Sequence, residues 1–260
     1  RTNYLSNGRG AWRQHQVTPL IAAFQFLTII PTLIKRPFTS QEMGRAVGWF
    51  PLVGLALGGV LFALSTLTQK IFSNEITAVL IIITWVMLTR AFHLDGLMDT
   101  ADGIFGGFSR ERRLEIMQDS RVGAFGVVVG ILILLLKYAT LISVNTRDLG
   151  LALVISTTLG RWALPLVIVA FPYARKKGLG YAMKENAGIS QIILATIIAA
   201  SAVWMLSGAK GLLVMGIVGL IAIGLSFYFM RHLKGLTGDN YGAITELVEA
   251  LVLLVFAIQK

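Results

Sequence analysis

The sequence predicts an all-α protein, a polytopic bundle of about seven membrane-spanning helices with one short or re-entrant helix at its amino-terminal end. Three observations support this prediction. Hydrophobic residues make up 55% of the 260 residues and charged residues only 14%, whereas a soluble domain carries about 25% charged residues. The mean hydropathy is +0.74. Long apolar runs also recur along the whole chain at the length that a bilayer requires.

Each predicted span is a run of about 20 mostly apolar residues, which is the length that crosses a hydrocarbon core. The seven runs cover residues 47–68, 75–92, 122–143, 149–172, 189–207, 211–230 and 241–259. An eighth run, 17–34, is short and has Pro19 and Pro31 near its ends, so it either spans the membrane or lies as an interfacial or re-entrant helix. Glycines such as Gly54 and Gly58 fall inside a span, where small residues allow close helix packing. No repeat or low-complexity tract divides the chain, so we treat all of it as a single membrane-embedded catalytic domain.

Composition also excludes several classes of site. The chain has no cysteine, which rules out disulfides, thiolate metal sites and cysteine nucleophiles. The 23 Lys and Arg exceed the 13 Asp and Glu, giving a net charge of +10. In so apolar a chain this excess indicates the basic loops of a membrane protein rather than nucleic-acid binding.

The basic residues predict the orientation of the chain. The connections 35–46, 90–121, 172–188 and 231–240 hold 14 Lys and Arg, and the opposite connections with the carboxyl terminus hold only four. Because an even number of predicted spans separates the members of the first set, all of them lie on one face of the membrane. The positive-inside rule makes that face cytoplasmic.

The acidic residues concentrate in a predicted active-site loop, about 93–121, on this face. Asp95, Asp99 and Asp102 are spaced i, i+4, i+7, which places them on one helical face if the 75–92 helix continues through them. Three like charges on one stripe repel one another unless a cation lies between them. Oxygen-only ligands favour Mg²⁺ or Mn²⁺ over zinc. We therefore predict that these three aspartates bind Mg²⁺.

Further along the loop, Glu115 and Asp119 lie four residues apart and are predicted to complete the metal site or to act as a general base. His93 precedes the aspartates and is a third candidate catalytic residue, with a purely structural histidine as the alternative. Arg110, Arg113 and Arg121 are predicted to bind phosphate, because the guanidinium fork matches phosphate oxygens. For the arginines, solvated loop charges are an equally good interpretation.

Charged residues outside the loop extend the predicted site. Glu246 and Glu249 lie inside the last predicted span, where acids are functional candidates by default. Asp239 lies just before this span, at the predicted substrate cleft, and could instead cap the helix. Arg161 lies within a span and is expected to pair with one of the acids there. Arg175 belongs to a basic cluster that either binds substrate or anchors the chain to lipid headgroups.

The motifs around these residues resemble those of a known family. HLDGLMDTADG and RERRLEIMQDSRVGAFG resemble the signature of the cobalamin synthase family, the adenosylcobinamide-GDP ribazoletransferases. Further motifs along nearly the whole chain support the resemblance, namely FLTIIPTLI, FPLVGLALG, LGRW, PYARKKGLG and TGDNYGAITELVE. The chain departs from the family at Arg90 and Ala91, where glycines are frequent, and at Met98, where alanine is usual. Neither departure removes an ionisable group.

The resemblance implies an integral enzyme of the cell inner membrane that requires Mg²⁺. Such an enzyme joins adenosylcobinamide-GDP to α-ribazole or α-ribazole 5′-phosphate, releases GMP, and forms adenosylcobalamin or its 5′-phosphate in a late step of vitamin B12 synthesis. The sequence leaves a homo-oligomer open.

Three other functions compete with this interpretation. CDP-alcohol phosphotransferases and membrane prenyltransferases also use aspartate-rich motifs with Mg²⁺. This chain lacks the Ala-Arg that belongs to the phosphotransferase motif, and it lacks the second aspartate-rich motif of the prenyltransferases. A cation transporter could line a path with intramembrane acids, but the paired repeats that are frequent in transporters are not evident.

Overall fold

The computed structural model describes residues 8–258 of the chain, and side chains from residue 17 onwards. Within this range the chain is helical, with a single isolated β-bridge between Tyr173 and Leu236, which confirms the predicted all-α class. The helices are α1 (Gly8–Leu27), α2 (Ser40–Ala46), α3 (Phe50–Thr68), α4 (Asn74–Leu88), α5 (Phe92–Gly106), α6 (Arg110–Ile116), α7 (Ala124–Ser143), α8 (Thr146–Ala170), α9 (Leu179–Asn186), α10 (Ile189–Leu233) and α11 (Gly238–Phe256).

Four helical segments of the described chain are long and apolar enough to cross a membrane: Ser40–Thr68, Ala124–Ser143, Leu149–Ala170 and Ile189–Leu233. The bent pair α4 and α5 makes a fifth if it counts as one span. Large apolar side chains face outwards on these helices, as Val128, Leu132 and Leu135 do on α7. An apolar outer surface of this kind is what lipid contact requires, so the polytopic membrane architecture is confirmed.

Helix α10 is a hairpin that accounts for two of the predicted spans. Its 45 residues would measure about 67 Å as one straight helix, more than twice the ~30 Å hydrocarbon core. The helix breaks at Gly208, which has φ 58° and ψ −144°, a conformation that favours glycine. Beyond the break the chain turns back on itself, since a side chain at Gly211 would collide with Val203. The arms 189–207 and 209–233 match the predicted spans 189–207 and 211–230.

The chain bends by 86° between α4 and α5. Arg90 and Ala91 form the bend, both with φ 54°, in the left-handed region that side chains with a Cβ disfavour. The 75–92 helix therefore does not continue through the aspartates, which was the condition for placing them on one helical face. Asp95, Asp99 and Asp102 lie together on α5, a separate helix that runs across the direction of α4.

The centre of the bundle is formed by α8 and α11. Helix α3 packs closely on α8, because a side chain at Gly54 or Gly58 would collide with Thr157. Helix α11 packs against α5, α7, α8 and α10 and is almost entirely buried. At the amino-terminal end, only Val17–Leu27 of the predicted 17–34 run is an apolar helix, about 16 Å long. This apolar stretch by itself is too short to cross the membrane.

The four basic connections meet at one end of the bundle, as predicted. Arg110 donates hydrogen bonds to the backbone carbonyls of Leu233 (2.8 Å) and Ala174 (3.1 Å), which joins three connections. Gly44 of α2 lies directly against Asn186 of α9, which adds the fourth.

Candidate functional site

A cavity of about 420 Å³ opens at this end of the bundle, between α5, the start of α11 and the segment 173–183. We call it the α5–α11 cavity. Its buried apolar wall includes Phe50, Leu164 and Ile168. The remaining wall carries the charged residues Asp95, Arg175, Lys177 and Asp239. The cavity therefore has an apolar interior and a charged opening.

Asp239 and Arg175 lie together at this opening. Arg175 Nη2 donates to Asp239 Oδ2 at 2.9 Å, and Thr237 Oγ1 lies 3.2 Å from the same oxygen. Thr237, not Asp239, caps α11, since its side chain accepts from the backbone N–H of Asn240. Asp239 therefore does not cap the helix, which was one of the two roles considered from the sequence. Its carboxylate instead holds Arg175 against the cavity wall.

Asp95 and Asp99 bring further negative charge to the same region. Asp95 is exposed and lines the cavity, whereas Asp99 is half-buried. Burial, followed by repulsion from Asp95, Asp239 and Asp102, raises the pKa of Asp99 to about 7. Repulsion from these three carboxylates therefore adds to the effect of burial, and Arg175 opposes it.

The donor chemistry of this region fits Mg²⁺. Among the described residues, no three His, Asp or Glu side chains converge on one point to hold a metal ion. Mg²⁺, however, is usually bound by one or two carboxylates together with substrate phosphates and water. Asp95 offers oxygen ligands at the cavity, Asp99 lies one helical turn further along α5, and the repulsion between the two carboxylates favours a cation beside them.

Asp102 has a different environment from the other two aspartates of α5. Its side chain is buried, and its two carboxylate oxygens accept backbone N–H groups of Gly123 (2.7 Å) and Gly126 (2.8 Å). These amides form the amino terminus of α7, where the helix dipole favours a negative charge. The structure thus shows Asp102 anchoring α7 on α5. The metal binding predicted from its spacing stays a prediction.

Glu115 and Asp119 line a second cavity, of about 460 Å³, formed by α6, the start of α7 and the end of α5. This α6–α7 cavity shares no lining residue with the α5–α11 cavity. Asp119 accepts a bidentate pair of hydrogen bonds from Arg121, from Nε to Oδ1 and from Nη2 to Oδ2, which lowers its pKa to about 2. A carboxylate with so low a pKa is a poor base near neutral pH. Glu115 is exposed and paired with Arg112 at 2.8 Å. The structure therefore separates both predicted bases from Asp95.

The predicted phosphate-binding arginines of the loop contact protein groups. Arg110 bonds to two backbone carbonyls as described above, and Arg113 donates to the carbonyl of Gly107 at 2.9 Å. Arg121 is 86% exposed and paired with Asp119. Arg110 and Arg113 hold the loop to the bundle. Of the described arginines that were predicted to bind substrate, Arg175 is the one that lines the α5–α11 cavity.

Arg161 and Glu246 belong to a buried charge network inside the bundle. Lys137 Nζ donates to Glu246 at 2.7 Å and to Glu249 at 2.6 Å. Arg161 pairs with Glu249 through Nη1, and its Nη2 lies 3.2 Å from His93 Nδ1. The predicted pairing of Arg161 with an acid of the last span is confirmed, and neither Arg161 nor Glu246 lines the α5–α11 cavity.

Two tyrosines that sequence reasoning missed also line the α5–α11 cavity. Tyr173 and Tyr241 have ring centroids 6.1 Å apart, and the Tyr173 hydroxyl accepts from the backbone N–H of Gly238. Both residues fall inside motifs noted above, but no spacing rule connects positions that lie so far apart in the chain.

With this geometry established, comparison with known proteins identifies the family. The family model for cobalamin-5-phosphate synthase matches residues 19–257. The chain belongs to the cobalamin-5-phosphate synthase family. Relatives named adenosylcobinamide-GDP ribazoletransferase include proteins of Desulforamulus reducens, 41% identical over 89% of this chain and 92% of the relative, and of Stutzerimonas stutzeri, 40% identical over 93% and 98%. A third, from Pseudomonas aeruginosa, is 38% identical over 92% and 97%.

Membership of this family makes the protein a transferase of cobalamin biosynthesis. No solved structure matches the chain. The motifs that resemble the family in sequence contribute both sides of the α5–α11 cavity, from α5 and from α11 with the segment 173–180.

Proposed function

We propose that the protein joins adenosylcobinamide-GDP to α-ribazole, or to α-ribazole 5′-phosphate, and releases GMP. A hydroxyl of the ribazole ribose attacks the phosphorus next to the cobinamide. A new P–O bond forms, the bond to the bridging oxygen of the diphosphate breaks, and that oxygen leaves with GMP. The observation that supports this proposal best is the α5–α11 cavity, in which Asp95, Asp239 and Arg175 surround the opening of an apolar chamber.

Arg175 is the residue we assign to the diphosphate. Its Nη2 is held by Asp239, while its Nε is buried and has no hydrogen-bond partner among the described residues. A guanidinium N–H that is held in place and still unpaired is suited to donate to a phosphate oxygen. Lys177, on the same segment, adds a second positive charge beside it.

Asp239 is the residue we assign to the proton of the attacking hydroxyl. Both hydrogen bonds recorded at its carboxylate go to Oδ2, so Oδ1 is the oxygen available to accept that proton. We place a Mg²⁺ ion at Asp95 and Asp99, where it would neutralise charge on the diphosphate and on the departing GMP.

The test is GMP release by the purified protein from adenosylcobinamide-GDP, measured with and without α-ribazole. We expect release only when α-ribazole and Mg²⁺ are both present, and its loss with excess EDTA. Release that does not depend on α-ribazole would indicate a hydrolase. CDP-alcohols and prenyl diphosphates, assayed in parallel, test the enzymatic alternatives. A cation transporter is disfavoured because Glu246 and Glu249 are both paired with cationic side chains.

We further propose that the α5–α11 cavity opens to the cytoplasm from the inner membrane. The 14 basic residues of the connections that meet at this end support the proposal. Single cysteines at Ser109 and Lys177 should resist an impermeant thiol reagent in intact cells, and a cysteine at Lys210, next to the α10 turn, should react. Labelling of Ser109→Cys from outside would reverse the orientation.

A further inference from the structure

We infer that the α5–α11 cavity binds the base of the ribazole substrate, a flat benzimidazole that carries two methyl groups, while the corrin ring and the guanosine lie outside it. This inference rests on the proposed function and assigns one of the two substrates to a particular space. It also gives His93 and Tyr241 a role in binding that base and its ribose.

The size of the cavity excludes the corrin. Its volume of about 420 Å³ lies within the range of about 300–1,000 Å³ that is usual for small-ligand pockets. A single nucleoside is a ligand of this size. A corrin ring with its amide side chains is several times larger than a nucleoside, so it has to lie at the opening or beyond it.

The aromatic part of the wall favours benzimidazole over guanine. The Phe26 ring stacks on Phe50, with centroids 6.2 Å apart, and meets Phe92 edge-on at 5.2 Å. All three residues line the cavity, and flat aromatic ligands pack well on such surfaces. Guanine carries an amino group, a carbonyl and a ring N–H, and the three phenyl rings offer none of these groups a hydrogen-bond partner, at a cost in free energy. The methylated edge of the benzimidazole has no such groups.

Three lining residues carry buried polar atoms that have no hydrogen-bond partner within the described structure: His93 Nε2, Tyr241 Oη and Arg175 Nε. The side chains of His93 and Tyr241 belong to residues only 2% and 6% exposed. A lipid chain in this cavity would leave these atoms unpaired, which is unfavourable. A ligand with an apolar ring and a few polar atoms can pair with them, and a nucleoside of an apolar base has that composition.

The buried network fixes what His93 can offer. Arg161 Nη2 lies 3.2 Å from His93 Nδ1, and because a guanidinium only donates, Nδ1 must accept. The single ring proton then resides on Nε2, which becomes a donor. The unsubstituted ring nitrogen of the benzimidazole is an acceptor and so complements it, while the Tyr241 hydroxyl suits a ribose hydroxyl. His93 therefore acts as a hydrogen-bond donor to the base of the substrate.

Two variants test the assignment in the purified protein. Ile168→Phe places a ring in the cavity, and Tyr241→Phe removes one oxygen. We expect the KM for α-ribazole to rise at least tenfold in Ile168→Phe and about three- to tenfold in Tyr241→Phe. The KM for adenosylcobinamide-GDP should stay within twofold. Leu213→Phe and Tyr228→Phe, at exposed positions of α10, are the matched controls and should change neither constant.

Equilibrium dialysis of α-ribazole alone separates this inference from the proposed function. Wild-type protein should bind α-ribazole without the corrinoid, and both cavity variants should bind it more weakly. A wild-type protein that binds α-ribazole but releases no GMP would refute the proposed function and leave the binding site intact. Normal GMP release with an unchanged KM for α-ribazole in both variants would refute the inference. A rise in the KM for adenosylcobinamide-GDP alone would assign the cavity to the other substrate. If the larger ring of Ile168→Phe unfolds the protein, as a melting curve would show, Tyr241→Phe decides the outcome.

Discussion

Replacing Asp102 with asparagine distinguishes an aspartate that anchors a helix from one that binds a metal ion. The Asp102 carboxylate accepts the N–H groups of Gly123 and Gly126 at 2.7 and 2.8 Å and is only 7% exposed. Asparagine has nearly the same shape, but it has one acceptor oxygen in place of two. Its NH₂ group must therefore face one of the two N–H groups.

The expected loss of stability follows from these contacts. Losing a hydrogen bond to a charged acceptor costs about 1.5–3 kcal/mol, and leaving the N–H unsatisfied costs about 1–3 kcal/mol. The negative charge at the amino terminus of α7 contributes up to about 1 kcal/mol more. Because these effects overlap, we expect a loss of about 3 kcal/mol, which lowers the melting temperature by about 6–12 °C in a protein of this size.

The measurement is thermal unfolding of the protein in detergent, combined with GMP release from the folded fraction. Asp99→Asn is the matched control, because it makes the same change on the same helix at a half-buried residue. It should melt no earlier than the wild type, because it removes repulsion from neighbouring carboxylates, but should lose at least tenfold in activity. If Asp102→Asn melts like the wild type yet loses its dependence on Mg²⁺, Asp102 is a metal ligand and our reasoning is refuted.

Three further predictions follow from other parts of the molecule. Ala91→Gly should raise the free energy of unfolding by about 0.5–1 kcal/mol, because Ala91 has a φ of 54° that glycine adopts without strain. Ala139→Gly, on the exposed face of α7, should lower the free energy of unfolding by a similar amount, and paired melting curves test both. Glu246→Gln should destabilise the protein by about 3 kcal/mol, because it weakens the buried ion pair with Lys137. GMP release by the folded protein should stay near normal, and early melting together with lost activity would contradict this prediction. Asp119→Asn should keep GMP release within twofold of the wild type, since its exposed ion pair contributes little; a large loss would restore Asp119 as the base.

Apolar run length predicted most of the fold. The two arms of α10 match the separately predicted spans 189–207 and 211–230, which lie on either side of Gly208 and Lys210. The bend between α4 and α5 was not predicted, because neither Arg90 nor Ala91 marks a left-handed turn. Both residues take that conformation because the surrounding bundle imposes it, and a local pattern carries no information about such a constraint.

The candidate site shows the same limit. The i, i+4, i+7 spacing placed Asp95, Asp99 and Asp102 on one helix, which the structure confirms. It could not show that α7 begins beside Asp102, because that contact joins residues 21 and 24 positions apart. Similarly, intramembrane acids indicated a need for partners, but the pairing of Lys137 with Glu246 spans 109 positions and depends on how the helices are arranged.

The buried charge network has a consequence for how the chain is assembled during synthesis. Each charged residue at the centre of a lone helix opposes insertion by about 2.5–3.5 kcal/mol, and Lys137, Arg161 and the two glutamates of α11 lie on three different helices. Helix α11 is the last of these to leave the ribosome. Until it arrives, Lys137 and Arg161 have no carboxylate among their recorded contacts to balance them. A chain that ends before α11 therefore carries two unneutralised cations within its bundle. The insertion of α11 is the step that neutralises them and commits the bundle to its folded state in the membrane.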